Sequence, residues 1–344
     1  MTTKLVNISL LALIVLLTVT GLLMLVLSQG AGWLYDIHRI IGLALLLFIP
    51  WKIAIAWRST RRKLRAGVGR AILPISLILA AAALASIALV FVWTLNLTPL
   101  WGVFGYPALL LHWYLALGLL PLFAVHIYRH WYRRPTARLF HERRQVLRLG
   151  VLGAGALAAW VGLSAIANVR QTADGLRRFT GSREQRSFAG NAMPVTMLLT
   201  DHVQTLDPET WRLTLTGLLA APLVLSLADL AAFPRSTETW TLDCTNGWYS
   251  TQEWTGARLG DVLARAGLRE GAAVVQIVSV TGHSVTLPLA QAREALLATH
   301  IGGEALAAAH GAPVRLAHPN LRGWLWIKWV SEIRVFAAEP VNGI

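Results

Sequence analysis

Cys244 is the only cysteine in the 344-residue sequence, and it stands where a strand-like run meets a turn. A single cysteine excludes an intramolecular disulfide, so in an oxidising compartment it has to be buried, metal-bound or reactive. At a strand end its sulfur projects from a rigid edge, which suits a soft metal that binds thiolate. The alternative is a small hydrophobic residue in the core.

Cationic residues follow in two short motifs. The first is His310-Gly311-Ala312-Pro313-Val314-Arg315, and the second runs from Gly323 to Trp329 and contains Lys328. Guanidinium and ammonium groups donate several hydrogen bonds to anionic oxygens, so these motifs are typical of sites for a phosphate or a pterin.

Three histidines, His38, His112 and His126, lie in long apolar stretches. Imidazole is a common axial ligand of haem iron, and an ionisable residue inside a membrane span indicates function. His112 and His126 share one helix face at two depths, about 21 Å apart, and His38 lies level with His112. This predicts a b-type haem between His38 and His112, with His126 as a ligand at the second depth. The alternative is hydrogen bonding between helices.

The whole chain is 55% hydrophobic and 14% charged, with a mean hydropathy of +0.54, which is too apolar for an ordinary soluble protein. A spanning helix needs about 20 mostly apolar residues, and five stretches meet that length. They are Leu5–Leu27, Ile37–Trp57, Ala71–Leu95, Ala108–Tyr128 and Val146–Ala167.

The net charge of +14 is confined to this apolar half. Residues 1–169 hold 16 Lys and Arg against 2 Asp and Glu, whereas the remainder holds 15 of each. This excess of positive charge therefore orients the helices in the membrane, and nucleic-acid binding is disfavoured. Arg58–Arg70 and Arg129–Arg148 are the basic segments and are predicted to be cytoplasmic. The N-terminus is then cytoplasmic in a bacterial inner membrane, and everything after Ala167 is periplasmic.

The fifth span begins with Arg143-Arg144 and ends with Ser164-Ala165-Ile166-Ala167. This resembles a twin-arginine export signal placed internally, and that pathway moves domains already folded around a cofactor. An equally good interpretation is that the arginines only supply cytoplasmic positive charge.

After the fifth span, short β runs alternate with the helical spacing of Leu259, Val262, Leu263 and Ala266, which predicts an α+β domain. The predicted division is a four-helix cytochrome b domain at 1–135, the fifth helix at 136–169, a linker at 170–190 and the α+β domain at 191–344.

The helical half resembles cytochrome b561 and the cytochrome b subunits of membrane formate dehydrogenases, where two histidines 14 residues apart on one helix serve two haems. There the inner haem takes its second ligand from the first helix, which has no histidine here. Lys52 is the other candidate at that depth, and the second haem stays open.

The second half resembles the sulfite oxidase fold of molybdopterin enzymes across nearly all of residues 190–340. The resemblance implies that Cys244 ligates molybdenum and that His310, Arg315 and Lys328 contact the pterin and its phosphate.

The chain differs at two places from the molybdopterin enzymes that it resembles. Sulfite oxidases carry an early Arg-Asn-His stretch, whereas this chain has Asn191-Ala192-Met193-Pro194-Val195-Thr196, which argues against sulfite oxidation. The bacterial periplasmic methionine sulfoxide reductase is nearer around the cysteine, but it has Glu where this chain has Asn246. Asn191 and Asn246 are therefore candidate cofactor contacts, although polar turn residues also explain both.

The sequence thus predicts a membrane bundle of five helices followed by a sulfite oxidase-fold molybdopterin domain, similar to that reductase fused to its haem subunit. The expected function is an oxidoreductase in which quinol reduces haem b, and the haem feeds a molybdenum-pterin centre that reduces a small S- or N-oxide. Two alternatives are the reverse electron flow, and a haem electron carrier whose outer domain only binds or docks.

Overall fold

The computed structural model describes residues 2–26, 32–66, 72–99, 101–103, 106–129, 143–174, 177–197 and 202–337. The chain divides into two compact units, Met1–Arg183 and Glu184–Ile344. The division falls within the predicted linker. Residues 136–142, assigned to the fifth-helix segment, lie outside the described residues.

The first unit contains five helices that are long and apolar enough to cross a membrane. At most 17% of the residues in each apolar window are buried, so most of this apolar surface lies on the outside of the unit. Helices that are apolar all round are typical of a lipid environment. The helices are α1 (Thr3–Val26), α2 (Gly32–Arg65), α3 (Ile72–Thr94), α4 (Ala108–Arg129) and α5 (Arg143–Asp174).

Helices α2 and α5 are longer than predicted. The second apolar stretch is predicted to end at Trp57, whereas α2 continues to Arg65, into the basic segment Arg58–Arg70. Arginine and lysine favour helix, and Gly67 is the first strong helix breaker after them in the sequence. α5 likewise continues to Asp174, into the predicted linker.

The described residues of the predicted linker after Asp174 are also structured. Arg177 and Arg183 form a β-bridge, and the amide N–H of Arg178 donates to the carbonyl of Ser182 at 3.1 Å. Gly181, with φ at +80°, makes the turn between them. Residues 177–183 therefore form a tight hairpin, called the arginine hairpin below, rather than a free linker.

The second unit is α+β, as predicted, with two sheets. One sheet has the order β1-β5-β8-β10, with β4 paired to β5 and β9 to β8; the other has the order β3-β2-β11-β6-β7. The strands are β1 (Arg183–Glu184), β2 (Leu213–Gly217), β3 (Leu223–Leu225), β4 (Arg235–Cys244), β5 (Trp248–Arg258), β6 (Val274–Ser279), β7 (Ser284–Pro288), β8 (Leu296–Ile301), β9 (Glu304–Ala305), β10 (Arg315–Ala317) and β11 (Val330–Phe336).

Short helices cover these sheets: α6 (Leu227–Ala231), α7 (Leu259–Ala266) and α8 (Leu289–Glu294). The predicted amphipathic helix is confirmed as α7, whose four apolar positions Leu259, Val262, Leu263 and Ala266 are buried. It ends at Gly267 in the left-handed conformation (φ +71°), which terminates helices at no steric cost.

Candidate cofactor site and histidine pair

Cys244 is the last residue of β4 and is 8% exposed. The β4–β5 hairpin pairs it directly with Trp248, and the amide N–H of Gly247 donates to the Cys244 carbonyl at 3.1 Å. Gly247 has φ at +91°, so the tight turn favours glycine there. The thiol thus stands at the rigid end of a long hairpin, as predicted.

Burial raises the pKa of the Cys244 thiol above its ordinary value. Hydrogen bonds from the Asn246 amide and the Thr196 hydroxyl, and the charge of Arg322, act in the opposite direction. The protein alone therefore keeps the thiol protonated, and a bound metal cation would complete its conversion to thiolate.

Thr196 links three residues of the site and was not singled out by the sequence. Its hydroxyl accepts a hydrogen bond from Trp248 Nε1 at 2.9 Å, and its carbonyl accepts one from Lys328 Nζ at 3.2 Å. A lone threonine in an irregular segment carries no sequence pattern that predicts this role. Thr196 therefore connects the cysteine hairpin to the Lys328 segment.

Arg322 and Asp243 form a buried ion pair beside the cysteine, also unforeseen. Arg322 Nη1 lies 3.2 Å from Asp243 Oδ2, and both side chains are at most 7% exposed. Although this separation is close, neither Nη1 nor Nε of Arg322 makes a hydrogen bond within the described part of the chain. The contact is therefore an ion pair with poor hydrogen-bond geometry.

Arg315, at the start of β10, is a buried cation. Its Nη1 donates to the His310 carbonyl at 3.0 Å, and its guanidinium lies 5.5 and 5.9 Å from the ring centroids of Trp254 and Trp326. Burial lowers its pKa to about 10, so it stays charged at neutral pH. Its Nε has no hydrogen-bond partner among the described residues. A buried, incompletely satisfied guanidinium is stabilised by an anion, which is what a phosphate or pterin would supply.

His310 lies beside Arg315 and is 1% exposed. Its Nε2 donates to the Asn191 carbonyl at 3.0 Å. Burial, together with the charges of Arg315 and Lys328, lowers its pKa to about 4, so the ring is neutral at physiological pH. In the neutral ring the other nitrogen, Nδ1, carries a lone pair and accepts a hydrogen bond.

The two asparagines differ in what their side chains do. The Asn191 amide donates to Glu304 Oε2 and the Ala305 carbonyl, and its oxygen accepts from the Ala307 N–H. These hydrogen bonds to protein groups use both the nitrogen and the oxygen of the Asn191 side-chain amide. A cofactor contact by Asn191 therefore stays a prediction. Asn246 is buried in the turn after Cys244, and its backbone N–H donates to the sulfur.

The close approach between the two cationic motifs depends on Gly311. A Cβ there would lie 2.9 Å from the Cα and Cβ of Lys328, and φ is +108°. We expect Gly311→Ala to lower the free energy of unfolding of the second unit by about 1–3 kcal/mol. The measurement is the shift in the unfolding midpoint, followed by tryptophan fluorescence. Gly271→Ala is the control, because Gly271 has φ at +83° but open space around it. Equal losses in both variants would contradict the close-contact explanation.

In the helical unit, His38 and His112 are each bonded through Nδ1. The Thr20 hydroxyl lies 2.8 Å from both the Leu16 carbonyl and His38 Nδ1, and a hydroxyl that donates to the carbonyl accepts from the ring. His112 Nδ1 lies 2.9 Å from the Ser86 carbonyl, which only accepts, so this nitrogen also carries its hydrogen. A ring that carries its hydrogen on Nδ1 has a lone pair on Nε2, which is the atom that can bind a metal.

His38 packs against α1: its Cε1 lies 3.5 Å from the position that a Cβ of Gly21 would occupy. His126 lies near the other end of α4, half-buried. Within the described residues, no group of three or more His, Cys, Asp or Glu is arranged to hold a metal.

Comparison with known proteins identifies the second unit. Residues 200–343 match the family described as oxidoreductase molybdopterin binding domain. The chain is 36% identical over 172 residues to mitochondrial sulfite oxidase of Rattus norvegicus, covering 41% of this chain and 32% of that protein. It is 35% identical over 131 residues to the uncharacterized oxidoreductase YuiH of Bacillus subtilis (strain 168), covering 37% and 66%.

A further relative is nitrate reductase (NADH) 1 of Oryza sativa subsp. japonica, 33% identical over 171 residues, covering 40% of this chain and 19% of that protein. The chain spans less than two thirds of the length of each of these relatives. The matches confirm the predicted sulfite oxidase-type molybdopterin domain. The matched family begins after the helical unit, so any role for that unit rests on its own residues.

Proposed function

We propose that this chain, whose residues 200–343 form a molybdopterin-binding oxidoreductase domain, is a membrane enzyme that reduces a small S- or N-oxide with electrons from quinol. Electrons would pass from quinol through haem b, held by His38 and His112, to the molybdenum-pterin centre. The observation that carries the proposal is the pair of imidazoles, each bonded through Nδ1, on the same chain as a molybdenum domain.

The haem assignment is supported by the way each imidazole is held. Ligating histidines commonly donate their other ring nitrogen to a backbone carbonyl or another acceptor, which fixes ring orientation and raises ligand basicity. His112 has a carbonyl of α3 in that position, and His38 has a hydroxyl of α1. Two such imidazoles match the two axial positions of a b-type haem.

Membrane insertion and orientation are part of the proposal. Five apolar helices of spanning length support insertion, and the basic segments at Arg58–Arg70 and Arg129–Arg148 support a cytoplasmic N-terminus. An odd number of crossings then places the second unit in the periplasm of a bacterial inner membrane. Quinol is a suitable donor because it is reduced, apolar and dissolved in the same bilayer.

The second unit has residues that fit the molybdenum cofactor. Cys244 would supply thiolate to the metal, while Arg315 and Lys328 would supply positive charge to the pterin phosphate. His310, held neutral, would accept a hydrogen bond from the pterin through Nδ1. The cofactor, when bound, supplies oxo-transfer chemistry, and the protein supplies position and charge.

The relatives support redox chemistry in either direction, since by their names sulfite oxidase oxidises its substrate and nitrate reductase reduces its own. We favour reduction because the Asn191–Thr196 segment lacks the Arg-Asn-His stretch of sulfite oxidases. The resemblance around Cys244 to a sulfoxide reductase favours S-oxides or N-oxides as substrates.

The proposal is tested by measuring molybdenum and iron in the purified full chain, together with its reduced-minus-oxidised visible spectrum. We expect comparable amounts of molybdenum and haem iron, with a b-type haem band. Haem without molybdenum, from a host that makes the pterin, would favour an electron carrier with a docking domain. Molybdenum without haem would overturn the membrane electron path.

Retention of the cofactor is expected to depend on Arg315. Charge-assisted hydrogen bonds contribute about 1.5–3 kcal/mol, so Arg315→Gln should lower pterin retention roughly 10- to 100-fold. Molybdenum and pterin content after purification measure this effect. Arg334→Gln is the matched control, because Arg334 is 42% exposed and paired with Glu332. An unchanged cofactor content in Arg315→Gln would exclude this role.

A further inference from the structure

A cavity of about 330 Å³ lies in the second unit, between α6, the start of β4 and the ends of β5 and β8. Most of its lining is apolar, and Leu230, Ala257 and Leu306 of that lining are each at most 6% exposed. Ligand sites in proteins are typically apolar clefts of about 300–1,000 Å³ with a few convergent polar groups. The size and walls of this cavity therefore fit a small ligand with an apolar body.

The cavity is separate from the candidate cofactor site. Arg235 of the lining begins β4 and Cys244 ends it, so about 30 Å of extended strand lies between them. The Ala312–Pro313 segment forms one wall and stands between His310 and Arg315 in the sequence. Neither of those two residues is among the described residues that line the cavity. A ligand of the cavity is therefore distinct from the pterin.

The polar side chains among the described lining residues lie together. They are Arg235, Thr299 and His300. Arg235 Nη2 lies 3.2 Å from His300 Nδ1 and 3.4 Å from His300 Nε2, and Thr299 Oγ1 lies 2.8 Å from the same Nδ1. Arg235 is exposed and His300 is half-buried. These three side chains therefore form one group at the surface of the cavity, called the polar edge below.

The polar edge carries one full positive charge. In the described part of the chain, the Arg235 side chain hydrogen-bonds only to His300. Burial, and then the charge of Arg235, lower the pKa of His300, so its ring is neutral at physiological pH. No described residue of the lining is acidic. Asp207, which precedes the lining residue Pro208, has its carboxylate bonded to the Thr210 hydroxyl at 3.0 Å.

We propose that this cavity binds a small monocarboxylate, whose apolar body fills the cavity and whose carboxylate accepts hydrogen bonds from Arg235 and Thr299. The planar guanidinium matches the two oxygens of a carboxylate. A single cation also matches a single negative charge, whereas a phosphate monoester carries about two at neutral pH. The site requires neither haem nor molybdenum, so it is independent of the proposed electron path.

The test is a titration of the full chain in lipid nanodiscs with benzoate and, separately, with hexanoate. Binding is followed by saturation-transfer difference NMR, with empty nanodiscs as the blank. We expect saturable binding of benzoate and weaker binding of benzyl alcohol, which has the same ring without the charge. Arg235→Gln should weaken benzoate binding about 10- to 100-fold and leave benzyl alcohol binding unchanged, because a charge-assisted hydrogen bond is lost. Arg293→Gln, an exposed arginine of α8 outside the described lining, is the matched control.

Ala231→Phe tests the cavity itself. Ala231 is exposed at the end of α6, so a larger side chain there fills the cavity without disturbing the core, and both benzoate and benzyl alcohol should fail to bind. Unchanged binding in this variant would place the ligand elsewhere and overturn the inference. Equal benzoate affinity in wild type and Arg235→Gln, or no saturable binding of either carboxylate to wild type, would also overturn it. Tighter binding of phenyl phosphate than of benzoate would assign the polar edge to a phosphate instead.

Discussion

Cys244→Ser is expected to abolish substrate turnover and leave the haem band unchanged. Serine fills nearly the same volume at the end of β4 but does not supply thiolate to a metal. The loss of activity should exceed the 10- to 100-fold loss that is typical when a residue bonded to a metal ligand, but not to the metal, is replaced. Quinol-driven turnover and the reduced haem spectrum, recorded on the same sample, measure the two effects separately.

The control for this variant is Thr241→Val, three residues earlier on β4. Thr241 exchanges a hydrogen bond with Thr251 at 2.8 Å across the hairpin, and its position on β4 places it on the opposite face from Cys244. It should retain molybdenum and most of the activity. If Cys244→Ser kept full activity and its molybdenum, the assignment of Cys244 as metal ligand would be wrong.

His112→Ala is expected to have the opposite spectral effect. Removing one of the two proposed axial ligands should eliminate the normal b-type band and reduce quinol-driven turnover to background. Turnover driven by a soluble dye that reduces the molybdenum centre directly should persist, because the second unit has its own core. The molybdenum content of the variant shows whether the second unit is still folded.

Ser86→Ala separates ligand loss from local disturbance. This variant removes the Ser86 hydroxyl, yet the Ser86 carbonyl still accepts from His112 Nδ1, so haem should be retained. A normal haem spectrum and quinol-driven activity in His112→Ala would show that this imidazole is no ligand.

The parts of the fold that could be predicted are those encoded in local patterns. The five apolar stretches and the spacing of Leu259, Val262, Leu263 and Ala266 appear directly as helices. The Cys244 turn was visible because Gly247 marks it. The predicted helix ends were less accurate. Arginines mark a membrane boundary but also favour helix, so α2 extends to Arg65.

The parts that could not be predicted depend on contacts between distant segments. Arg322 and Asp243 are 79 positions apart, and neither belongs to a pattern that indicates an ion pair. Thr196 meets Trp248 and Lys328 only in the folded domain. In the sequence, the arginine hairpin looks like a polar linker. Its arginines bond to the Trp93 carbonyl at the end of α3, and no local pattern predicts that contact.

We propose that haem and molybdenum belong to one electron path in one chain. The most direct measurement is to reduce the haem anaerobically with quinol and then add an S- or N-oxide, following the haem band in a stopped-flow instrument. We expect rapid reoxidation of haem in the wild-type protein and none in Cys244→Ser. Haem that stays reduced in a molybdenum-loaded wild-type protein, across a panel of such oxides, would contradict it.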